Sequence, residues 1–97
     1  MQPVRMTILM AGRRYAVDTA KLLASGELSS GQGEPVRTTF LFRTEDGLYF
    51  IQHRAEALGG DPHDERIWME PVAAIDAAPL FAELKHKQMT FEEAFSD

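Results

Sequence analysis

Cysteine is missing from all 97 residues, which excludes disulfides, thiolate nucleophiles and cysteine-ligated zinc. Long apolar runs are missing as well, and none approaches the ~20 residues that a membrane helix needs. The opening "MQPVRMTILMAGRR" lacks a secretory layout, because its short apolar run alternates with polar residues and precedes the basic pair. We therefore expect a cytoplasmic protein with no membrane partner. Positive charge is scarce in the second half: residues 55–97 hold three bases against ten acids, for −7. Residues 1–54 hold seven bases against five acids, for +2. With a net charge of −5, the acidic second half disfavours DNA unless the basic residues of the first half cluster in space, and suits either a solvated acidic surface or a basic partner.

What is present is ordinary globular composition, 44% hydrophobic and 26% charged, at a length that fits one domain over 1–97. In "VRMTILMAGRRYAVD", residues 4–18, Val4, Met6, Ile8 and Met10 alternate with Arg5, Thr7 and Leu9, the period of a half-buried strand. Gly12 supplies a turn, through a two-residue loop at 11–12 or 12–13. Both choices place Met6, Ile8, Tyr15 and Val17 on one side. Asp18 or Thr19 is then placed to cap a short helix over "TAKLLAS", with Gly26 as its stop and Leu22 and Leu23 as buried candidates. "GELSSGQGEP" has the composition of a mobile loop over 26–35.

"TTFLFRTEDGLYF", residues 38–50, reads as a second hairpin. A three-residue loop, Glu45-Asp46-Gly47, with Gly47 left-handed, pairs Phe42 with Phe50 and gathers Phe40, Phe42, Leu48 and Phe50 on one face. A two-residue Asp46-Gly47 turn would pair Phe42 with Ile51. Burial favours the first register, since each such side chain contributes about 1.5–3 kcal/mol when fully buried. Leu41, Arg43, Tyr49, Ile51 and His53 then share the other face, which is too apolar to stand in water. It is our candidate partner surface unless a helix covers it.

A polar loop over 54–65 follows, expected to be mobile, and then a strand, "RIWMEPV", with Ile67 and Met69 opposite Trp68 and Pro71 marking an edge. "AAIDAAPLFAELKHK" is helical in composition, with Asp76 as cap, Pro79 in the first turn and Leu80, Phe81 and Leu84 as its apolar stripe. "TFEEAF" carries a capping box, Thr90 with Glu93, before Phe95. The expected class is α+β: a single antiparallel sheet of about five strands, two hairpins plus one strand, with two or three short helices mainly on one face.

On these landmarks the chain resembles a family of small uncharacterised bacterial proteins carried on phages and other mobile elements. The shared segments are Gly12-Arg13-Arg14-Tyr15 running into Thr19-Ala20, and Leu41-Phe42-Arg43-Thr44 followed by Gly47, Tyr49 and Phe50. Pro71, Ala77, Leu80 and the "EEAF" ending match its close. The chain departs from the pattern at "GGDPHDE", where the family has a Gly-Gly-Pro loop, and at Leu80, where it has tryptophan. The resemblance implies a fold and a setting, not a chemistry.

No constellation supports catalysis. Ser25, Ser29 and Ser30 have no nearby histidine, and "GELSSGQG" lacks the Lys-Ser/Thr ending of a phosphate-binding loop. Adjacent Glu92 and Glu93 point apart on a helix. His63, among Asp61, Asp64 and Glu65, has ligand-type neighbours in a spacing that fits no metalloprotease or EF-hand pattern. We expect no enzyme, no cofactor and no metal site. The reading that follows is a non-enzymatic binding protein, phage or mobile-element borne, that contacts a protein partner stoichiometrically, for instance to inhibit a host defence complex. The alternative is a sheet that binds single-stranded nucleic acid through Tyr49 and arginines, with Arg5, Arg13 and Arg14 as a basic patch.

Overall fold

The structure is a computed structural model and describes residues 2–28, 37–55 and 65–96. Strands β1 (Thr7–Met10) and β2 (Arg13–Ala16) form a hairpin. The others are β3 (Lys21–Leu28), β4 (Arg37–Arg43), β5 (Tyr49–Ala55), β6 (Arg66–Val72) and β7 (His86–Lys87), with helices α1 (Ala74–Glu83) and α2 (Phe91–Phe95). The class is α+β. The main sheet is antiparallel and five-stranded, in the order β6-β5-β4-β3-β7. The first hairpin does not join it, contrary to the single sheet expected; β1 and β2 form a two-stranded sheet of their own.

The central hairpin has the three-residue loop. Phe42 pairs with Phe50 and Arg43 with Tyr49, and Gly47 is left-handed at φ 84°. Thr44 closes the loop, donating its N–H to the Leu48 carbonyl at 2.7 Å and accepting the Leu48 N–H on its hydroxyl at 3.0 Å. The two faces divide as the alternation requires. Phe40, Phe42 and Phe50 pack with Tyr15 and Met69, while Met6, Ile8 and Val17 of the first hairpin close over them. Phe42 and Phe50 stack with centroids 5.0 Å apart, and Tyr15 meets Phe50 edge-on at 5.8 Å. On the opposite face, Leu41, Tyr49 and Ile51 pack with Ala77, Phe81 and Leu84 of the α1 region and Ala94 of α2. The molecule is thus three layers: hairpin, sheet and helices.

Residues 21–28 are a strand, not the expected helix. Pairing with β4 makes the strand, and a bulge disguises its alternation. Leu22 lies opposite Phe42 and Ala24 opposite Leu41, leaving Leu23 as the extra residue. Leu22 therefore packs on the hairpin side, while Leu23 and Ala24 both pack on the helix side. Consecutive apolar residues satisfy both cores at once, which imitates a helical composition. Gly26 is no helix stop either. It lies inside β3, where a Cβ would sit 3.1 Å from the Lys85 backbone nitrogen. The glycine lets the chain after α1 lie on β3 and add β7, pairing Ala24 with Lys87 and Ser25 with His86. Of the expected loop 26–35, residues 26–28 are thus strand and the rest lies outside the described residues.

The other ends also differ from expectation. α1 stops at Glu83, and Lys85–Lys87 turn into β7. Lys87 nevertheless serves the helix end, its ammonium donating to the Leu84 carbonyl at 2.7 Å. Asp76 lies in the first turn but makes no cap; Ala73 occupies that position without a side-chain bond, and Pro79 falls in the helix interior. There it removes the amide that would bond the Ile75 carbonyl. The α2 capping box is formed by Thr90 and Glu93. In the expected loop 54–65, Arg54 and Ala55 belong to β5, and Glu65 pairs with Arg54 at 2.6 Å. Residues 56–64 are outside the described part. No helix among the described residues is long and apolar enough to cross a membrane.

Candidate functional site

The face offered as a partner surface is occupied by the chain itself. Leu41, Tyr49, Ile51 and His53 are buried. Helix α1 reaches them through Phe81, and α2 through Phe95, whose ring lies 5.3 Å from Tyr49. Arg43 is half-buried and holds down the end of α2. Its Nη1 donates to the Ala94 carbonyl at 3.3 Å and to the Ser96 carbonyl, while the guanidinium lies 5.7 Å from the Tyr49 ring centre. For Leu41, Tyr49 and Ile51 the sequence contained the alternative that the structure bears out, cover by a helix; His53 is instead enclosed by strand residues. Tyr49 also has no ring face free for a base, because both sides of the sheet are covered.

His53 is the most distinctive polar residue on that face. It stands opposite Thr39 in β4 and Trp68 in β6. Its Nδ1 is 2.8 Å from the Thr39 hydroxyl, its Nε2 is 3.7 Å from the Glu70 carboxylate, and its ring lies 4.8 Å from Trp68. Burial, and then the positive charge of Arg37, push its pKa down, against an upward pull from Glu70. The neutral ring is best satisfied by accepting the Thr39 proton at Nδ1 and turning its own N–H toward Glu70. Hydroxyl, imidazole and carboxylate follow in the order of a nucleophilic relay. Thr39, however, is 0% exposed and has no route to a substrate. The group cross-links β4, β5 and β6.

The expected basic patch is divided. Arg5 pairs with Asp18 at 3.2 Å. Arg13 and Arg14 stand at the hairpin tip, and neither has a carboxylate within ion-pair distance among the described residues. Ala11 and Gly12 form the two-residue turn, both left-handed at φ 52° and 75°. In the flanking strands Leu9 pairs with Arg14 and Met10 with Arg13. Leu9 is 77% exposed and Met10 47%. The sheet core ends at Ile8 and Tyr15, so the next residues project beyond it. Sequence alternation assigned Met10 to the core face, but its cross-strand partner is an arginine, and no apolar residue remains to cover it. Leu9, an apolar residue on the polar side of β1, was the legible signal of an exposed apolar side chain.

Among the described residues, Ile75, 83% exposed on α1, and Phe91, half exposed on α2, are the other large apolar residues in water. Phe91 still packs on Phe81 and Phe95 at its edge. The histidine of the acidic loop, His63, lies outside the described residues with Asp61 and Asp64. Glu65, their neighbour, is committed to Arg54. No group of three or more metal-ligating side chains occurs among the described residues. No protein-family model, curated protein or solved structure matches this chain.

Proposed function

We propose that this chain is a non-enzymatic binding protein that works by stoichiometric contact with another protein, and that the contact is made by the tip of the β1–β2 hairpin. One observation carries the reading: at the hairpin tip exposed Leu9 stands beside Arg14 on one face and exposed Met10 beside Arg13 on the other. Exposed leucine and methionine lose solvation free energy, which a partner recovers, and arginine is among the residues that dominate interface energetics. Such a tip fits an apolar recess with an acidic rim. The family resemblance supplies the setting, a phage or mobile-element protein acting on a host factor such as a defence complex. The acidic second half gives such a protein a second surface, suited to a basic region of its target.

The test compares the wild type with the double substitution Leu9→Ser, Arg14→Glu as bait in a bacterial host lysate. A protein retained by the wild type and lost by the variant, at unchanged melting temperature, supports the reading. Equal retention by both, or recovery of the bait alone, sinks it. Titration with labelled single-stranded DNA and RNA at low salt separates the nucleic-acid alternative. A shift at micromolar protein that falls with added salt would move the tip arginines from a protein partner to phosphate.

A further inference from the structure

A second arrangement of charge, unconnected with the hairpin tip, is only half explained by the packing: Arg43 holds the end of α2, but nothing in that role calls for a lysine beside it. Lys21 begins β3 and Arg43 ends β4, directly opposite each other in register, so both side chains leave the same face. Like charges so placed repel and weaken a sheet. Among the described residues neither one is in an ion pair. The carbonyls held by Arg43 Nη1 carry only partial charge and do not neutralise it.

Both cations line one cavity of about 260 Å³, with Thr19, Thr44 and Glu45. Its walls come from the turn before β3, the end of β4 and the β4–β5 loop. That loop is braced by the two Thr44–Leu48 bonds and by Gly47 N–H donating to the Thr44 carbonyl at 3.0 Å. Since the Thr44 hydroxyl accepts the Leu48 N–H, its own proton is left to donate. The volume is below the roughly 300–1,000 Å³ of drug-sized sites, which suits a small metabolite.

We propose that this cavity binds a small phosphorylated metabolite bearing hydroxyl groups. Lys21 meets the phosphate as a point charge, and the Nη2 edge of Arg43 and the Thr44 hydroxyl donate to its oxygens. Glu45 sits in the same lining, where its carboxylate offsets part of the positive charge, disfavours a bare anion and is placed to accept a hydrogen bond from the hydroxyl-bearing part of the ligand. The opposed cations are then a binding pair whose repulsion the ligand relieves.

The experiment is a nuclear magnetic resonance titration of the whole chain at constant ionic strength, using ribose 5-phosphate and inorganic phosphate as probes. Saturable shifts at the amides of Thr19, Lys21, Thr44 and Glu45 are expected with ribose 5-phosphate. Lys21→Met should weaken binding about 10-fold or more, the effect of losing one charge-assisted contact. Its melting temperature should stay equal or rise, because the repulsion is gone, so lost binding is not lost folding. Glu45→Gln should act in opposite directions, weakening ribose 5-phosphate while tightening inorganic phosphate. Arg14→Glu, at the hairpin tip, should change neither. Shifts that never saturate, that sodium chloride reproduces, or that survive Lys21→Met would overturn the proposal, as would a Glu45→Gln effect of the same sign on both probes.

Discussion

Gln52 holds Val4 by both edges of its backbone. The Val4 N–H donates to Gln52 Oε1 at 2.8 Å, and Gln52 Nε2 donates to the Val4 carbonyl at 2.7 Å. A side chain on β5 thus does for the N-terminal arm what a neighbouring strand would do. Gln52 is itself completely buried, with its nitrogen 3.7 Å from the Met69 sulfur. The arm is tied on either side of Val4 as well, by Arg54 Nη1 donating to the Gln2 carbonyl and by the Val17 N–H donating to the Met6 carbonyl at 3.0 Å.

Gln52→Leu, which keeps the volume and removes the amide, should therefore cost about 1–3 kcal/mol, because two backbone groups lose their partners. Urea unfolding measures the loss. Hydrogen exchange at Val4 should accelerate well beyond what the global destabilisation accounts for. An unchanged Val4 rate would mean the arm is held by its flanking contacts and not by Gln52.

The buried imidazole sets a pH dependence of definite sign. His53 has a folded pKa below its unfolded value of 6.5, so the unfolded chain takes up its proton first as pH falls. Its contribution to stability is present above pH 6.5 and is lost as pH falls through the folded pKa. Urea midpoints should drop across this window before the carboxylates titrate, and His53→Gln should flatten that part of the curve. A wild-type midpoint that rises on mild acidification would reverse the assignment.

Gly26→Ala tests the seat of β7. The added methyl meets backbone, the Lys85 nitrogen at 3.1 Å, with Leu84 Cα at 3.4 Å, so no side-chain rotation relieves it. A loss of about 1–3 kcal/mol is expected from overpacking, with faster exchange at the Gln88 amide, which donates to the Leu23 carbonyl across the same junction. A melting temperature equal to wild type would show that β7 is free to shift.

Helix α2 has only five residues and is held at both ends, by the Thr90–Glu93 box and by Arg43. Thr90→Ala should cost about 1 kcal/mol. Arg43→Met keeps much of the stem over Tyr49 and releases the C-terminal carbonyls, so Ala94 and its neighbours should exchange faster while β4 and β5 stay protected. Uniform acceleration across the sheet would show that α2 and the sheet open together.

The features that were legible in the sequence are those set by neighbours a few residues apart. The loop at Gly47 was readable because only one register collects four bulky residues on one face, and the Thr90–Glu93 box because both partners lie in one turn. β3 was not readable, because the bulge at Leu23 breaks the alternation on which strand assignment rests. Its strand character comes from β4, on the far side of a long connection, and tertiary pairing overrode the helical propensity of "AKLLAS". Whether Leu41, Tyr49 and Ile51 faced a helix or a partner was likewise decided by chain more than twenty residues away. At the hairpin tip, the exposure of Leu9 was legible in its alternation, whereas that of Met10 depended on where the core stops.

The first hairpin divides its labour along its length. Ile8 and Tyr15 pack it on the sheet, while the side chains of Leu9, Met10, Arg13 and Arg14 are exposed beyond that core. Substitutions at the four of these positions outside the left-handed turn, Leu9, Met10, Arg13 and Arg14, should alter the exposed surface at little cost in stability. A lineage under pressure from a changing target would thus have a short stretch of sequence free to diversify, on a scaffold that tolerates each trial.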